Sequence, residues 1–181
     1  ETTTIVLVPA VAWAVKVPVI AAGGIVNGRQ MLAAMVLGAE GVQMGTRFVC
    51  ATECIAHPAF KKAFLRASAR DAVASVQIDP RLPVIPVRAL KNAGTEEFTR
   101  KQVEVAAMLD RGEIDMSAAQ LEIEQFWAGA LRRAVIDGDV ENGSLMAGQS
   151  VGMVKGEETI AEILKTLATE AQAALETRAT I

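Results

Sequence analysis

The first fifty residues fall into blocks of apolar and polar positions with sharp edges. Val17–Ala22 is a continuous apolar run bounded by Pro18 and by Gly23-Gly24, and Gly41–Met44 is a second run that ends on Gly45-Thr46. Short uninterrupted runs between such breakers mark strands buried on both faces, as in parallel sheets. Between them Met31, Leu32, Met35 and Val36 recur at helical spacing. Asn27 is placed to cap that helix, which spans Arg29–Leu37, and Gly38 to close it. Strand, helix and strand within about 30 residues make a βαβ unit, with parallel strands and a right-handed crossover. Upstream, Thr2–Thr4 can cap a helix that runs through Val8 to Lys16 and ends at Pro18.

The remainder reads as mostly helical. A helix is expected over about Glu53–Arg70, with "HPAF" near its start. Val73–Asn92, carrying Pro80, Pro83 and Pro86, is an extended excursion. Helices follow over about Phe98–Arg111 and Ala118–Ile136, then the glycine-rich "DGDVENGSLMAGQSVGMV". A last helix lines up Ile160, Ile163, Leu164, Leu167, Ala171, Ala174 and Leu175 on one stripe. Three segments result: 1–72, holding the strands; 73–150, a small appended segment; and 151–181, a helix packing back on the first.

Composition narrows the function classes. The chain has 181 residues, 51% of them hydrophobic and 22% charged, with a net charge of -3. That suits a soluble, cytoplasmic globular protein and leaves no basic excess for nucleic-acid phosphates. Ile5–Val26 holds one charge, Lys16, yet Pro9, Pro18 and Gly23-Gly24 break it, so no membrane span is expected. Cys50 and Cys54 read as small buried thiols in a reducing compartment rather than a redox or metal pair. No metal site is expected. The chain opens on Glu1 in mid-pattern, without methionine or a charged leader, and is read as a portion of a longer protein.

The glycine-ended strands suggest a site. Adjacent parallel strands lie about 4.8 Å apart, so their carboxyl ends present neighbouring turns. Glycine there lets an anion reach backbone N–H groups, and a following helix N-terminus adds positive partial charge. Thr46 adds a hydroxyl. Gly24 and Gly45 can thus converge on one phosphate, as do the loops after strands 7 and 8 of (β/α)8 barrels. Singly, each glycine reads as no more than a tight turn. The dinucleotide fingerprint and the P-loop are both absent.

The stretch "PVIAAGGIVNGRQMLAAMVLGAEGVQMGTRF" resembles strand 7 through strand 8 of FMN-dependent barrels. With "HPAFKKAFLRA", "PVRALKN", "GALRRAVIDGDVENGSLMAGQSVGMV" and "EETIAEILKTL", the whole chain resembles the superfamily of nitronate monooxygenases (2-nitropropane dioxygenases) and flavin-dependent enoyl-acyl-carrier-protein reductase II. "DGDVENGSLMAGQ" and the short tail look more like the reductase branch. The resemblance implies an α/β fold, the last two βα units of a (β/α)8 TIM barrel with an appended helical segment. It implies FMN held at its phosphate by the backbone of Ala22, Gly23, Gly24, Gln43, Met44, Gly45 and Thr46. It brings Met146, Ala147, Gly148 and Gln149 towards the flavin ring or substrate pocket, although Gly148 and Gln149 read equally as a polar turn.

Three functions stay open: NAD(P)H-dependent reduction of 2-enoyl-acyl-carrier-protein thioesters in fatty-acid synthesis, O₂-dependent oxidation of alkyl nitronates, and a non-catalytic half-barrel. Each expects a missing N-terminal barrel half or a partner chain, and a homo-oligomer is expected. The family's functional histidine lies upstream of this segment, and His57 reads as a helix cap or a loop packing residue, so no catalytic residue is assigned. Arg88 and Lys91 read as surface charges before they read as anion contacts. "DPRLPVIPV" lacks the glycine-histidine pair that often precedes this proline-arginine in the family.

Overall fold

The computed structural model describes residues 2–178. The chain forms two compact units. One comprises the residues up to Cys54 together with those from Met153 onward; the other is Ile55–Gly152. The divisions fall at 54/55 and 152/153, where 72/73 and 150/151 were expected.

In the first unit, α1 (Thr4–Ala14) leads to β1 (Ile20–Ala22), α2 (Gly28–Val36), β2 (Gly41–Gln43) and the short α3 (Gly45–Val49). β1 and β2 pair in parallel, with Ile20 opposite Gly41, Ala21 opposite Val42 and Ala22 opposite Gln43. Asn27 caps α2 as expected, its side chain accepting from the Gln30 N–H, and Gly38 closes the helix at φ +103°. Thr3 occupies the N-cap of α1 without a side-chain bond, and α1 stops at Ala14.

Two corrections follow from what the helices cover. The strand expected over Val17–Ala22 is shorter and is not buried on both faces: Ala21 joins the core, while Ile20 is 57% exposed. Its core face meets Ala34 of α2 and Ile163 and Leu167 of α7 (Ile160–Arg178). On α7 the buried face is not the full expected stripe. Ile163 and Leu167 are buried, but Ile160, Leu164 and Leu175 are exposed. The contact with α2 is made through Gly28, which lies so close to α7 that a Cβ would sit 2.1 Å from the Leu167 carbonyl oxygen. The Gly28 N–H donates to Glu170 Oε2 at 2.8 Å. Close backbone approach, not side-chain apolarity alone, sets which face of α7 turns inward.

The second unit holds α4 (Pro58–Arg66), β3 (Ala72–Ala74), β4 (Arg88–Leu90), α5 (Ala93–Asp110) and α6 (Met116–Val135). Helix α4 is shorter than the expected 53–70 because Pro58 sits in its first turn and His57 caps it, Nδ1 accepting from the Ala59 N–H at 3.1 Å. The proline-rich excursion is pinned at its ends: β3 and β4 pair antiparallel, with Ala72 opposite Leu90 and Ala74 opposite Arg88. Helix α5 begins five residues before the expected Phe98 because Asn92 and Thr95 form a reciprocal capping box.

The core of this unit gathers Leu82, Val84, Phe98, Val105, Ala119 and Ile123. Gln102, fully buried on α5, accepts from the Ile78 N–H at 3.0 Å and donates to the Val76 carbonyl at 3.1 Å. It satisfies backbone that has no strand partner there. Gln102→Leu keeps the volume and orphans both groups, so a loss of about 2 kcal/mol is expected. A urea midpoint lowered at unchanged slope checks it.

Among the described residues no helix is long and apolar enough to cross a membrane.

Candidate functional site

The parallel register determines the geometry of the glycine turns. Ala22 and Gln43 are paired, so Gly24 and Gly45, each two residues further on, occupy equivalent places on neighbouring turns. Gly23 and Gly24 adopt φ of +98° and +76°, a region that side chains with a Cβ avoid. The turn is held from both sides. Thr4 Oγ1 donates to the Gly23 carbonyl at 3.0 Å, and the Val26 N–H donates to Gln30 Oε1 at 3.0 Å.

Gly45 is the more informative position. Its φ is not positive, and a Cβ built there meets nothing within 4 Å. Neither backbone conformation nor packing within the described chain calls for glycine at the head of α3. A Cβ on Gly24 also points into open space. Two adjacent turns therefore present bare, accessible backbone to whatever lies before them. Ala22, Gly23, Gly24, Gln43 and Gly45 are exposed and Thr46 is half-buried, while Met44 turns its side chain into the core and leaves only its backbone at the rim.

Behind the turns, α3 is fastened to the chain that precedes α7. The Arg47 guanidinium pairs with the Glu158 carboxylate, with side chains 12% and 34% exposed. The Thr52 N–H donates to the Glu158 carbonyl at 3.0 Å, and the Glu53 carboxylate accepts from the Ile160 N–H at 3.0 Å. Among the described residues Arg47 Nε is buried without a partner. Removing the carboxylate leaves a largely buried cation with little compensation. After discounting for the solvent that reaches Glu158, Glu158→Ala is expected to cost about 1–2 kcal/mol. A double-mutant cycle with Arg47→Met checks the pairing: the two losses should be far from additive.

The remaining expected site residues lie in the second unit. Met146 is exposed and forms an antiparallel bridge with Ala89, Ala147 is buried with its N–H on the Arg88 carbonyl at 3.0 Å, Gly148 is half-buried and Gln149 is exposed. The "MAGQ" stretch thus begins as an extra edge on β4. Arg88 Nη1 donates to the Ala72 carbonyl at 2.8 Å, and Lys91 pairs with Glu96 at 3.5 Å. Cys50 is buried and Cys54 half-buried, and no disulfide joins them. Sequence reading missed Thr4, whose bond to Gly23 spans 19 positions, and the Arg47–Glu158 pair across 111. No local pattern announces either.

The parallel strand–helix–strand unit with paired glycine turns is that of an α/β protein of the TIM-barrel kind. FabK from Thermotoga maritima superposes on the whole chain with a TM-score of 0.80 and 38% identity, over 53% of its own length. Nitroalkane oxidase from Streptomyces ansochromogenes covers 96% of the chain with a TM-score of 0.71 and 26% identity, over 45% of its length. The chain belongs to the nitronate monooxygenase family, which matches residues 1–170. A protein of Staphylococcus aureus described as a "Probable nitronate monooxygenase" is 35% identical over 133 residues, 70% of this chain and 36% of that protein. One of Staphylococcus saprophyticus under the same description is 35% identical over 153 residues, 84% of this chain and 38% of its own. The chain thus spans little more than a third of these curated relatives and about half of the solved structures.

Proposed function

We propose that this chain is the FMN-phosphate-binding portion of an FMN-dependent oxidoreductase that reduces 2-enoyl-acyl-carrier-protein thioesters with NAD(P)H. The observation that carries the reading is Gly45: a glycine with no internal reason to be one, set beside Gly24 at the ends of two paired parallel strands. The backbone of Ala22–Gly24 and Gln43–Thr46 fits a phosphate, because both turns are accessible and a Cβ at Gly24 or at Gly45 would point into open space. When bound, a flavin supplies hydride chemistry, and the chain supplies position and electrostatics. Thr4 orients the first turn through Gly23, while Arg47 and Glu158 hold α3 so that the second turn keeps its place.

The reductase reading is favoured by the "DGDVENGSLMAGQ" resemblance and by the likeness to FabK. On this reading Met146, Gly148 and Gln149 face the flavin ring or substrate, which rests on the resemblance alone. Oxidation of alkyl nitronates with O₂ is the second reading, favoured by the family match and by the curated relatives. Either activity needs the rest of a barrel, from the same polypeptide or from a partner chain. The surface of the first unit supports that need: Ile5, Val6 and Val17 are exposed, and Trp13 is 94% exposed. An apolar surface of this kind is what an absent neighbour would cover.

The test uses the full-length protein. Purified enzyme should carry flavin, be reduced anaerobically by NADH or NADPH, and be reoxidised by crotonyl thioester. Reoxidation confined to nitronate-dependent turnover with O₂ would transfer the assignment to the second reading. A colourless assembly with an empty anion site would leave the non-catalytic half-barrel.

A further inference from the structure

β1 ends at Ala22 and β2 at Gln43, so both glycine turns lie beyond the paired strands. Side chains from elsewhere hold them. Thr4 takes the Gly23 carbonyl, Gln30 takes the Val26 N–H, and Glu170 Oε2 accepts from the Gly28 N–H at 2.8 Å. The last of these comes from the middle of α7, 142 positions along the chain. The chain entering α7 serves the second turn in the same way, since Glu158 pairs with Arg47 of α3. Both turns are therefore tied to one helix and its lead-in.

Coulomb's law by itself argues against a carboxylate at this place. The proposed phosphate sits at Gly24, four residues before Gly28, and a like charge nearby weakens its binding. Helix stability does not call for the charge either, because Asn27 already caps α2. Nor does packing fix the side chain. Glu170 is half-buried and borders a hollow of about 160 Å³ together with Asn27, Arg47 and Thr166. What the carboxylate does is hold the first residue of α2. That residue is also where α2 and α7 meet backbone to backbone, since a Cβ on Gly28 would lie 2.1 Å from the Leu167 carbonyl oxygen.

We propose that Glu170 is a positioning residue for the flavin phosphate, a role that rests on the reading of the paired turns as an FMN site. Glu170 ties the head of α2 to α7, and Glu158 ties α3 to the chain entering α7. The helix is a brace that keeps the two turns converging on one phosphate. The effect belongs to the hydrogen bond and runs against the charge.

The test compares FMN with riboflavin, which lacks only the phosphate, by quenching of flavin fluorescence on apo-protein prepared from the full-length enzyme. The unchanged protein should prefer FMN about 100-fold. Glu170→Ala should cut that preference about tenfold and leave riboflavin affinity within about twofold. Glu170→Asp keeps the charge but falls one methylene short of Gly28, and should behave like the alanine variant. Glu170→Gln keeps an acceptor at the same reach, and should hold the preference within about twofold. All three should melt within about 5 °C of the unchanged protein, since one hydrogen bond is at stake. Flavin content at purification is too coarse for changes of this size, so dissociation constants are compared. A preference unchanged or raised in Glu170→Ala would overturn the brace, the second being the outcome if charge alone mattered. Equal losses for FMN and riboflavin, or a loss in Glu170→Gln as large as in Glu170→Ala, would also overturn it. Unchanged protein that binds both flavins alike would instead remove the phosphate site itself, and the brace with it.

Discussion

Gly45→Leu is expected to strip the protein of flavin and leave its fold standing. The usual outcome of enlarging a glycine is strain or a clash, and neither applies here, since φ is not positive and, outside its own helix and chain neighbours, no atom of the described residues lies within 4 Å of the added Cβ. Gly45 opens α3, where leucine is the better helix former by about 1 kcal/mol. The cost therefore falls on the ligand alone. A phosphoryl group that approaches the backbone N–H groups would meet a branched side chain, and its dissociation constant should rise about 100-fold or more, or roughly 2.7 kcal/mol. Flavin absorbance after gel filtration and a thermal melt on one sample separate the two effects. Full flavin occupancy in the variant would show that the turn does not hold the phosphate. Collapse of the fold would show that the space before Gly45 is filled by protein.

Gly28→Ala is expected to do the reverse. The same added atom would lie 2.1 Å from the Leu167 carbonyl oxygen, 2.6 Å from the Ala171 nitrogen and 2.7 Å from Glu170 Cβ. The first two are backbone atoms of α7, which cannot rotate aside. Relief requires α7 to move off α2, and that also breaks the bond from the Gly28 N–H to Glu170 and loosens Ile163 and Leu167 in the core. Overpacking of this severity costs about 3 kcal/mol or more. A urea titration of the full-length protein should show the loss, and any fall in flavin content should track unfolding. A change below about 0.5 kcal/mol, the range of ordinary surface substitutions, would mean that the two helices are not in contact there.

These two glycines show where sequence reading was sufficient and where it was not. Both open a helix after an apolar strand, and the residues beside them do not reveal which one meets another backbone. The carboxyl end of β1, the Asn27 cap, the Gly38 stop and the parallel pairing were legible, because each is encoded by residues within a few positions of one another. His57 as a cap was legible for the same reason, with Pro58 beside it. Three features were not. Helix α5 starts at Ala93 and not at Phe98 because the Asn92–Thr95 capping box, and not the first large apolar residue, sets its start. The pairing of β3 with β4 has no local signature, because the partners lie 14 to 18 positions apart across a stretch with three prolines and no tight-turn pair. The buried face of α7 was drawn from apolarity, whereas Thr166 and Glu170 lie nearer the seam than Leu164 or Leu175.

Local chemistry alone determined the elements of this protein, since capping, strand apolarity and glycine conformation act over one or two turns of chain. Tertiary structure decided which glycine faces a neighbour and which faces open space, which side of the last helix is buried, and that Arg47 meets Glu158. Those outcomes depend on how closely backbones distant in sequence approach each other. Such distances are set by the sum of all the packed surfaces, and no single stretch of residues carries them.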